Sequence, residues 1–118
     1  LALAASVYLA TMGKCGLDQV ARLCWHKSHY AAKRIDTLQS HSVWNNKPFF
    51  KEFVVKMPKP IDAVNEFLLD EFDIIGGYDL GQDYPHLKNH MLIAVTETNN
   101  KTEIDDLVEG LKEAAEQL

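Results

Sequence analysis

Three glycines within six residues, Gly76, Gly77 and Gly81, most constrain how this chain can fold. A phosphate-binding loop needs its glycines between a strand and a helix N-terminus, where backbone N–H groups converge on the anion. Here the glycines are followed by Tyr84-Pro85 and by an apolar run over residues 90–95, which is typical of a strand. The segment therefore predicts a bend or bulge that needs positive φ or close backbone approach, rather than a phosphate site.

Length and composition predict one globular domain over residues 1–118. The apolar fraction of 47% and charged fraction of 25% are those of a soluble protein with its own core. A net charge of −5, with basic residues scattered along the chain, argues against a nucleic-acid partner. Nucleic-acid binding is therefore not expected of this chain.

Two helices are predicted at the start of the chain. Residues 1–12 are apolar on most sides, so this helix should be buried or made to be covered. Gly13 is placed to end it as a C′ residue, and residues 14–16 are expected to form a short connection. A long amphipathic helix then covers residues 17–38, with a buried stripe at spacings of three, four and seven: Leu17, Val20, Cys24, Ala31, Ile35 and Leu38.

The remaining segments give the order α-α-β-β-α-β-β-α. Strands are predicted over residues 43–44, 49–57, 74–78 and 91–97, the last of them covered on both faces. Residues 45–48 are expected to turn between the first two. Helices follow Pro60 and Asn100, the second with a capping box between Asn100 and Glu103. The predicted architecture is α+β, with helices packed on a small mixed or antiparallel sheet. The predicted core positions of the later elements are Phe53, Val55, Met57, Ile61, Val64, Phe67, Leu68, Ile104, Leu107, Val108 and Leu111.

The termini and cysteines bear on compartment and context. Cys15 and Cys24 are separated by nine helical positions, about 13.5 Å, so both should be free thiols in a reducing compartment. Residues 1–12 are too short to span a bilayer and have no basic segment before them, which argues against a membrane partner. They also lack an initiator Met and an N-cap residue, so we expect the chain to be part of a longer protein.

Candidate functional side chains do not assemble into a catalytic set. His26 and His29 lie one helical turn apart but lack a third ligand, and His86 and His90 fall in a loop-to-strand segment that guarantees no shared face. The acidic groups Asp70, Glu71, Asp73, Asp105 and Asp106 are placed at predicted helix ends. Ser6 and Ser28 lack a Ser/His/Asp context. Among the lysines, Lys51 alone is embedded in bulky apolar residues, and strand alternation turns it outward. No catalytic, cofactor-binding or metal-binding residue is predicted.

Five blocks in order carry a family resemblance: LALAASVYLATMGKCGL, KSHYAAKR, FFKEFVVKMPKP, DIIGGYDLGQDYP and IAVTETNNKTEIDDLV. They resemble the C-terminal region of the glycine cleavage system P-protein, and more closely subunit 1 of decarboxylating glycine dehydrogenase, the type split over two polypeptides. The resemblance spans essentially the whole chain. Lys51 stands where the family's FFNEF pattern has an amide, so no contact is transferred to that position.

This resemblance implies the small C-terminal domain of a fold-type-I pyridoxal-phosphate enzyme, with the large domain missing. The family decarboxylates glycine and transfers the aminomethyl group to the lipoyl arm of H-protein, in the cytoplasm. The Schiff-base lysine belongs to subunit 2, in a motif with no counterpart here. The implied partners are therefore subunit 2 and lipoylated H-protein, and this piece should be structural and bind no cofactor. We also expect the isolated piece to self-associate through residues 1–12.

Two other functions remain open from the sequence. A stand-alone α+β ligand-binding or regulatory module would place its site near Gly76–Gly81, and a purely structural oligomerisation domain would need no site. Coding sequence upstream of Leu1 distinguishes these possibilities. A long large domain there favours the first interpretation, whereas an initiator Met or a signal peptide favours a stand-alone module.

Overall fold

The computed structural model describes residues 1–44 and 47–118. Helix α1 is Ala2–Asp36, α2 is Ile61–Phe72 and α3 is Lys101–Gln117. The strands are β1 (Ser42–Val43), β2 (Glu52–Lys56), β3 (Tyr78–Asp79) and β4 (His90–Ala94). Two single 3₁₀ turns, Leu80–Gln82 and Pro85–Leu87, join β3 to β4. The predicted order of elements is confirmed, except that the two predicted N-terminal helices form one helix, α1, with a break inside it.

Helix α1 is interrupted at Gly13, as the sequence predicts. Gly13 has φ 66° and ψ −177°, a backbone conformation that only glycine adopts without strain. The prediction of a connection over residues 14–16 is wrong, because the helix resumes directly after the break and continues to Asp36. One non-helical residue is enough to redirect the axis.

The buried stripe of α1 contains a polar residue that the predicted stripe omitted. Cys24, Ala31 and Ile35 are buried as expected, whereas Leu17, Val20 and Leu38 are only partly covered. Ser28 fills the seven-residue gap and is fully buried. Its hydroxyl donates to Phe50 O at 2.7 Å, so a side-chain hydrogen bond fixes α1 against the segment that leads into β2.

The four strands form one antiparallel sheet in the order β1-β2-β4-β3. The central pair has the longest register, from Glu52 opposite Ala94 to Lys56 opposite His90. Each predicted strand overlaps an observed one. Strand β1 has two residues as predicted, shifted by one position, whereas β2, β3 and β4 are shorter than expected. The segment predicted as a strand over residues 74–78 contributes only its last residue, Tyr78, to the sheet. The predicted turn at residues 45–48 lies partly outside the described residues.

The core lies between one face of the sheet and the three helices. Alternation along β2 buries Phe53, Val55 and, just beyond the strand, Met57, as predicted. The stripes of α2 and α3 are also confirmed, with Phe67 and Leu107 half-buried at their margins. Gly110 lets α3 approach α2, because a Cβ there would lie 2.6 Å from Leu68 Cδ2. The capping box of α3 is present, with Glu103 N–H donating to Asn100 Oδ1 at 2.8 Å.

Strand β4 is covered on one face rather than on both. Met91 and Ile93 are buried against the helices, whereas Leu92 is half-buried and Ala94 is exposed. The prediction from its continuous apolar run is therefore wrong for this chain. The sheet has one core face and one face that no other part of the described chain fully covers.

The N-terminal part of α1 packs against almost nothing. Residues 1–11 are all exposed, including Leu3 at 77%, Val7 at 57% and Leu9 at 52%. Within the described ranges, none of the helices is both long and apolar enough to cross a membrane. The apolar character expected of this helix is thus displayed on the surface.

Candidate functional site

Close packing, and not a positive φ angle, explains the glycines of this segment. Neither Gly76 nor Gly77 has a positive φ, so that part of the prediction is wrong. A Cβ on Gly76 would collide with the amide of Asn65, and one on Gly77 with Leu92 O. Close backbone approach, the other predicted reason for glycine here, is confirmed.

Helix α2 binds this segment at both of its ends. Ile74 N–H donates to Leu68 O at 3.0 Å, and Asn65 Nδ2 donates to Gly77 O at 2.9 Å. The chain over residues 74–77 therefore follows α2 and joins β4 only from Tyr78 onward. A groove of about 340 Å³ opens between this segment, the end of β4 and the start of α3.

The polar side chains that line this groove are acidic or neutral. Asp73 contributes one carboxylate from the C-terminal end of α2, where it adopts a left-handed conformation with φ 56°. Glu103 contributes a second from the first turn of α3. Asn99 is the third polar side chain, and its Oδ1 already accepts the Thr96 N–H at 2.9 Å. The arrangement favours a cationic group over an anion, which agrees with the sequence argument against phosphate.

In each of the two predicted histidine pairs, one ring is packed into the fold and the other is exposed. His29 is sandwiched between Trp25 and Phe49, with ring centroids 4.0 and 4.1 Å away, whereas His26 is exposed. His90 is buried and its Nδ1 donates to Lys88 O at 2.9 Å, whereas His86 is exposed. Within residues 1–44 and 47–118, no group of three or more His, Cys, Asp or Glu side chains could hold a metal ion.

The remaining candidates lie at the surface or serve as structural contacts. Asp70, Glu71 and Asp73 are exposed at the end of α2, and Asp106 is exposed on α3. Lys51 is exposed, as strand alternation predicts. None of the ten lysines is buried, and the half-buried Lys27 donates to Glu97 O at 2.8 Å.

A polar network between α1 and α3 was missed from the sequence. Tyr30 OH donates to Asp105 Oδ1 at 2.6 Å, and Arg34 Nη1 donates to the same oxygen at 2.7 Å. Lys101 Nζ reaches Asp105 Oδ2 at 3.2 Å. The hydrogen bond from Tyr30, with the two cations, lowers the pKa of Asp105 below its ordinary value. Asp105 therefore does more than complement the dipole of α3, the role suggested by its position.

A second contact links α1 to the segment after β4. Cys24 is buried, and its thiol donates to Glu97 Oε2 at 3.2 Å. Burial and this hydrogen bond to a carboxylate both raise the pKa of Cys24, which keeps the sulfur protonated and unreactive. Cys15 is exposed, and both residues are free thiols on the same uninterrupted helical stretch.

Known proteins similar to this chain agree on one family. The family model described as glycine cleavage system P-protein matches residues 1–111. A relative from Thermomicrobium roseum, named probable glycine dehydrogenase (decarboxylating) subunit 1, is 48% identical over 97% of this chain and 25% of its own length. A protein of the same name from Anoxybacillus flavithermus is 51% identical over 93% of this chain and 24% of its own length.

A solved structure matches in three dimensions as well. The crystal structure of glycine decarboxylase (P-protein) of the glycine cleavage system, in inhibitor-bound form, superposes with a TM-score of 0.82 at 30% identity. The match covers 92% of this chain and 24% of that one. The chain thus spans about a quarter of the length of the relatives it matches. The predicted α+β class is confirmed, and the chain belongs to the glycine cleavage system P-protein family.

Proposed function

We propose that this chain is the small C-terminal domain, residues 1–118, of a decarboxylating glycine dehydrogenase subunit 1, and that its role is structural. The observation that carries the proposal is the identity of about half of all residues, over nearly the whole chain, to relatives that bear this name. The chain covers only about a quarter of the length of those relatives, which supports a structural role within a longer enzyme.

The complete enzyme would release the carboxyl group of glycine as CO2 and pass the aminomethyl group to the lipoyl group of H-protein. Pyridoxal phosphate supplies the electron sink for that chemistry. The residues of this chain do not fit the cofactor, because a Schiff-base lysine is usually desolvated in an apolar site and every lysine here is exposed or half-buried. We assign the cofactor lysine to subunit 2, and we derive no catalytic step from this domain.

The proposal names two partners and one compartment. Subunit 2 would complete the active site, and lipoylated H-protein would receive the aminomethyl group. The complex would form in the bacterial cytoplasm, which agrees with the bacterial sources of the relatives and with the two free thiols of this chain.

Glycine–bicarbonate exchange tests the division of labour. The complete subunit that contains this chain would be assayed with lipoylated H-protein and pyridoxal phosphate, with and without subunit 2. We expect exchange only when subunit 2 is present, and none from the 118-residue chain. Full exchange by the complete subunit alone would refute the two-subunit assignment.

Borohydride reduction tests the cofactor assignment on the chain itself. After incubation with pyridoxal phosphate and reduction, mass spectrometry should find sparse labelling spread over several surface lysines. A single stoichiometric adduct on one lysine would contradict the assignment, because it would reveal a site that the exposure of these side chains argues against.

A further inference from the structure

The free edge of β4 offers a binding surface that the proposed function does not use. Strand β3 pairs with β4 only through Tyr78 opposite Leu92 and Asp79 opposite Met91. Beyond Leu92, the chain over residues 74–77 is held by α2, and the groove takes the place of a neighbouring strand. The last residues of β4 are thus paired on one side only.

The register identifies the backbone groups at that edge. Val95 N–H donates to Lys51 O at 3.0 Å, so Val95 and Ile93 direct their backbone groups toward β2. In an antiparallel sheet the direction alternates residue by residue. The N–H and C=O of Ala94 consequently point the other way, into the groove. Backbone–backbone hydrogen bonds within the described ranges do not join residues 74–77 to Ala94.

The walls of the groove define what a bound strand would carry. Ile75 forms an apolar rim and is 90% exposed, so an incoming backbone with apolar side chains would cover it. Asp73 and Glu103 line the same groove, and none of its lining residues is basic. Glu103 Oε2 also accepts the Asn100 N–H at 3.0 Å, and the carboxylate keeps its negative charge. Charge complementarity therefore calls for a cationic side chain in the occupant.

We propose that this groove binds an extended segment of another polypeptide, which adds to β4 as a strand and places a lysine or arginine between α2 and α3. Strand addition to an exposed edge gains main-chain hydrogen bonds, and side-chain pockets supply specificity. The volume of about 340 Å³ suits a short stretch of peptide. The proposal is independent of the proposed function and is tested on the 118-residue chain.

Amide-resolved NMR with a capped Val-Lys-Val-Lys-Val-Lys peptide tests this directly. We expect saturable shifts centred on Ala94, Ile75 and Gly76, and slower hydrogen exchange of the Ala94 amide. The matched Val-Glu-Val-Glu-Val-Glu peptide should bind more weakly. In the double variant Asp73→Asn, Glu103→Gln, binding of the basic peptide should weaken by about three- to tenfold.

These substitutions preserve the local structure. Asparagine tolerates the left-handed conformation of residue 73, and glutamine can still complete the capping box of α3. Asp106→Asn is the matched control, because Asp106 is an exposed carboxylate on α3 outside the groove, and it should leave the affinity unchanged. The proposal would be overturned if the two peptides bound equally well, or if the amide shifts were centred away from Ala94. It would also be overturned if the control variant lost as much affinity as the double variant. So would Ala94 shifts that depend on protein concentration without peptide, because a second copy would then occupy the edge.

Discussion

Self-association through the N-terminal part of α1 is the consequence of this structure most open to measurement. Residues 1–12 contain no charged side chain, and five large ones are exposed: Leu1, Leu3, Val7, Tyr8 and Leu9. Full burial of such a side chain is worth roughly 1.5–3 kcal/mol. Scaled by their exposed fractions, the five together offer about 7 kcal/mol per copy.

A partner helix covers only one side, so about half of that free energy is realised in each copy. A symmetric pair would then gain about 7 kcal/mol, against an association cost of about 4–15 kcal/mol. Against the lowest cost, about 3 kcal/mol remains, which corresponds to association in the millimolar range. Sedimentation velocity or light scattering across a series that reaches millimolar concentration would detect it.

The double variant Leu3→Gln, Leu9→Gln should abolish this association. The two leucines lie about 120° apart around the helix, so most packing arrangements lose at least one of them. Losing the half-exposed Leu9 alone removes about 1 kcal/mol per copy and about 2 kcal/mol per pair, a weakening of about thirtyfold. Leu69→Gln is the matched control, because Leu69 on α2 is 51% exposed against 52% for Leu9. A strictly monomeric parent chain with residues 1–12 protected from hydrogen exchange would refute the reasoning, as would equal dissociation by the control.

Two further predictions concern side chains within the fold. In the folded chain, Cys15 should react with a thiol reagent well before Cys24, because burial and the carboxylate partner raise the pKa of Cys24. In denaturant, both cysteines should react without prior reduction. An intramolecular disulfide found by mass spectrometry would contradict this. Tyr30→Phe should raise the pKa of Asp105 toward its ordinary value, because the phenol supplies the largest stabilisation of the ionised form. In the parent chain, the contribution of this carboxylate to stability is present above the unfolded pKa and is lost as pH falls through the lower folded pKa. The variant should therefore lose less stability than the parent over this acid range. An Asp105 carboxyl titration that NMR finds unchanged in the variant would contradict the assignment.

Local patterns in the sequence predicted most of the fold, and the errors came from contacts between distant residues. The stripes of α2 and α3, the capping box and the alternation of β2 depend on neighbours within a few positions, which a sequence displays directly. Residues 74–77 were predicted as strand because their apolar composition fits one. Hydrogen bonds to Leu68 and Asn65 hold them on α2 instead. The bond to Leu68 closes the end of α2 around the left-handed Asp73, whereas the bond between Asn65 and Gly77 joins residues twelve positions apart and is not visible in a local pattern.

The same limit applies to the candidate site. The sequence pointed to its glycines but offered two reasons for them, a positive φ or a close backbone approach. The positions of Leu92 O and the Asn65 amide beside them decide for close approach. The Tyr30–Asp105 hydrogen bond joins residues 75 positions apart, and nothing in either neighbourhood indicates it. The family, in contrast, could be predicted from the sequence, because several blocks of residues match its pattern in the same order and spacing.

The polar and apolar groups of this chain divide between internal connections and exposed surfaces. The polar side chains best placed by the fold connect its elements: Ser28 joins α1 to the segment before β2, Asp105 joins α3 to α1, and Asn65 joins α2 to the glycine segment. Removing such a group leaves its part-buried partner without this hydrogen bond, so these positions contribute to stability. Among the surfaces that the described chain leaves without an internal partner are the apolar helix of residues 1–12 and the strand edge at Ala94. Both are suited to contact with other polypeptide surfaces, and neither supplies an acid, a base or a nucleophile.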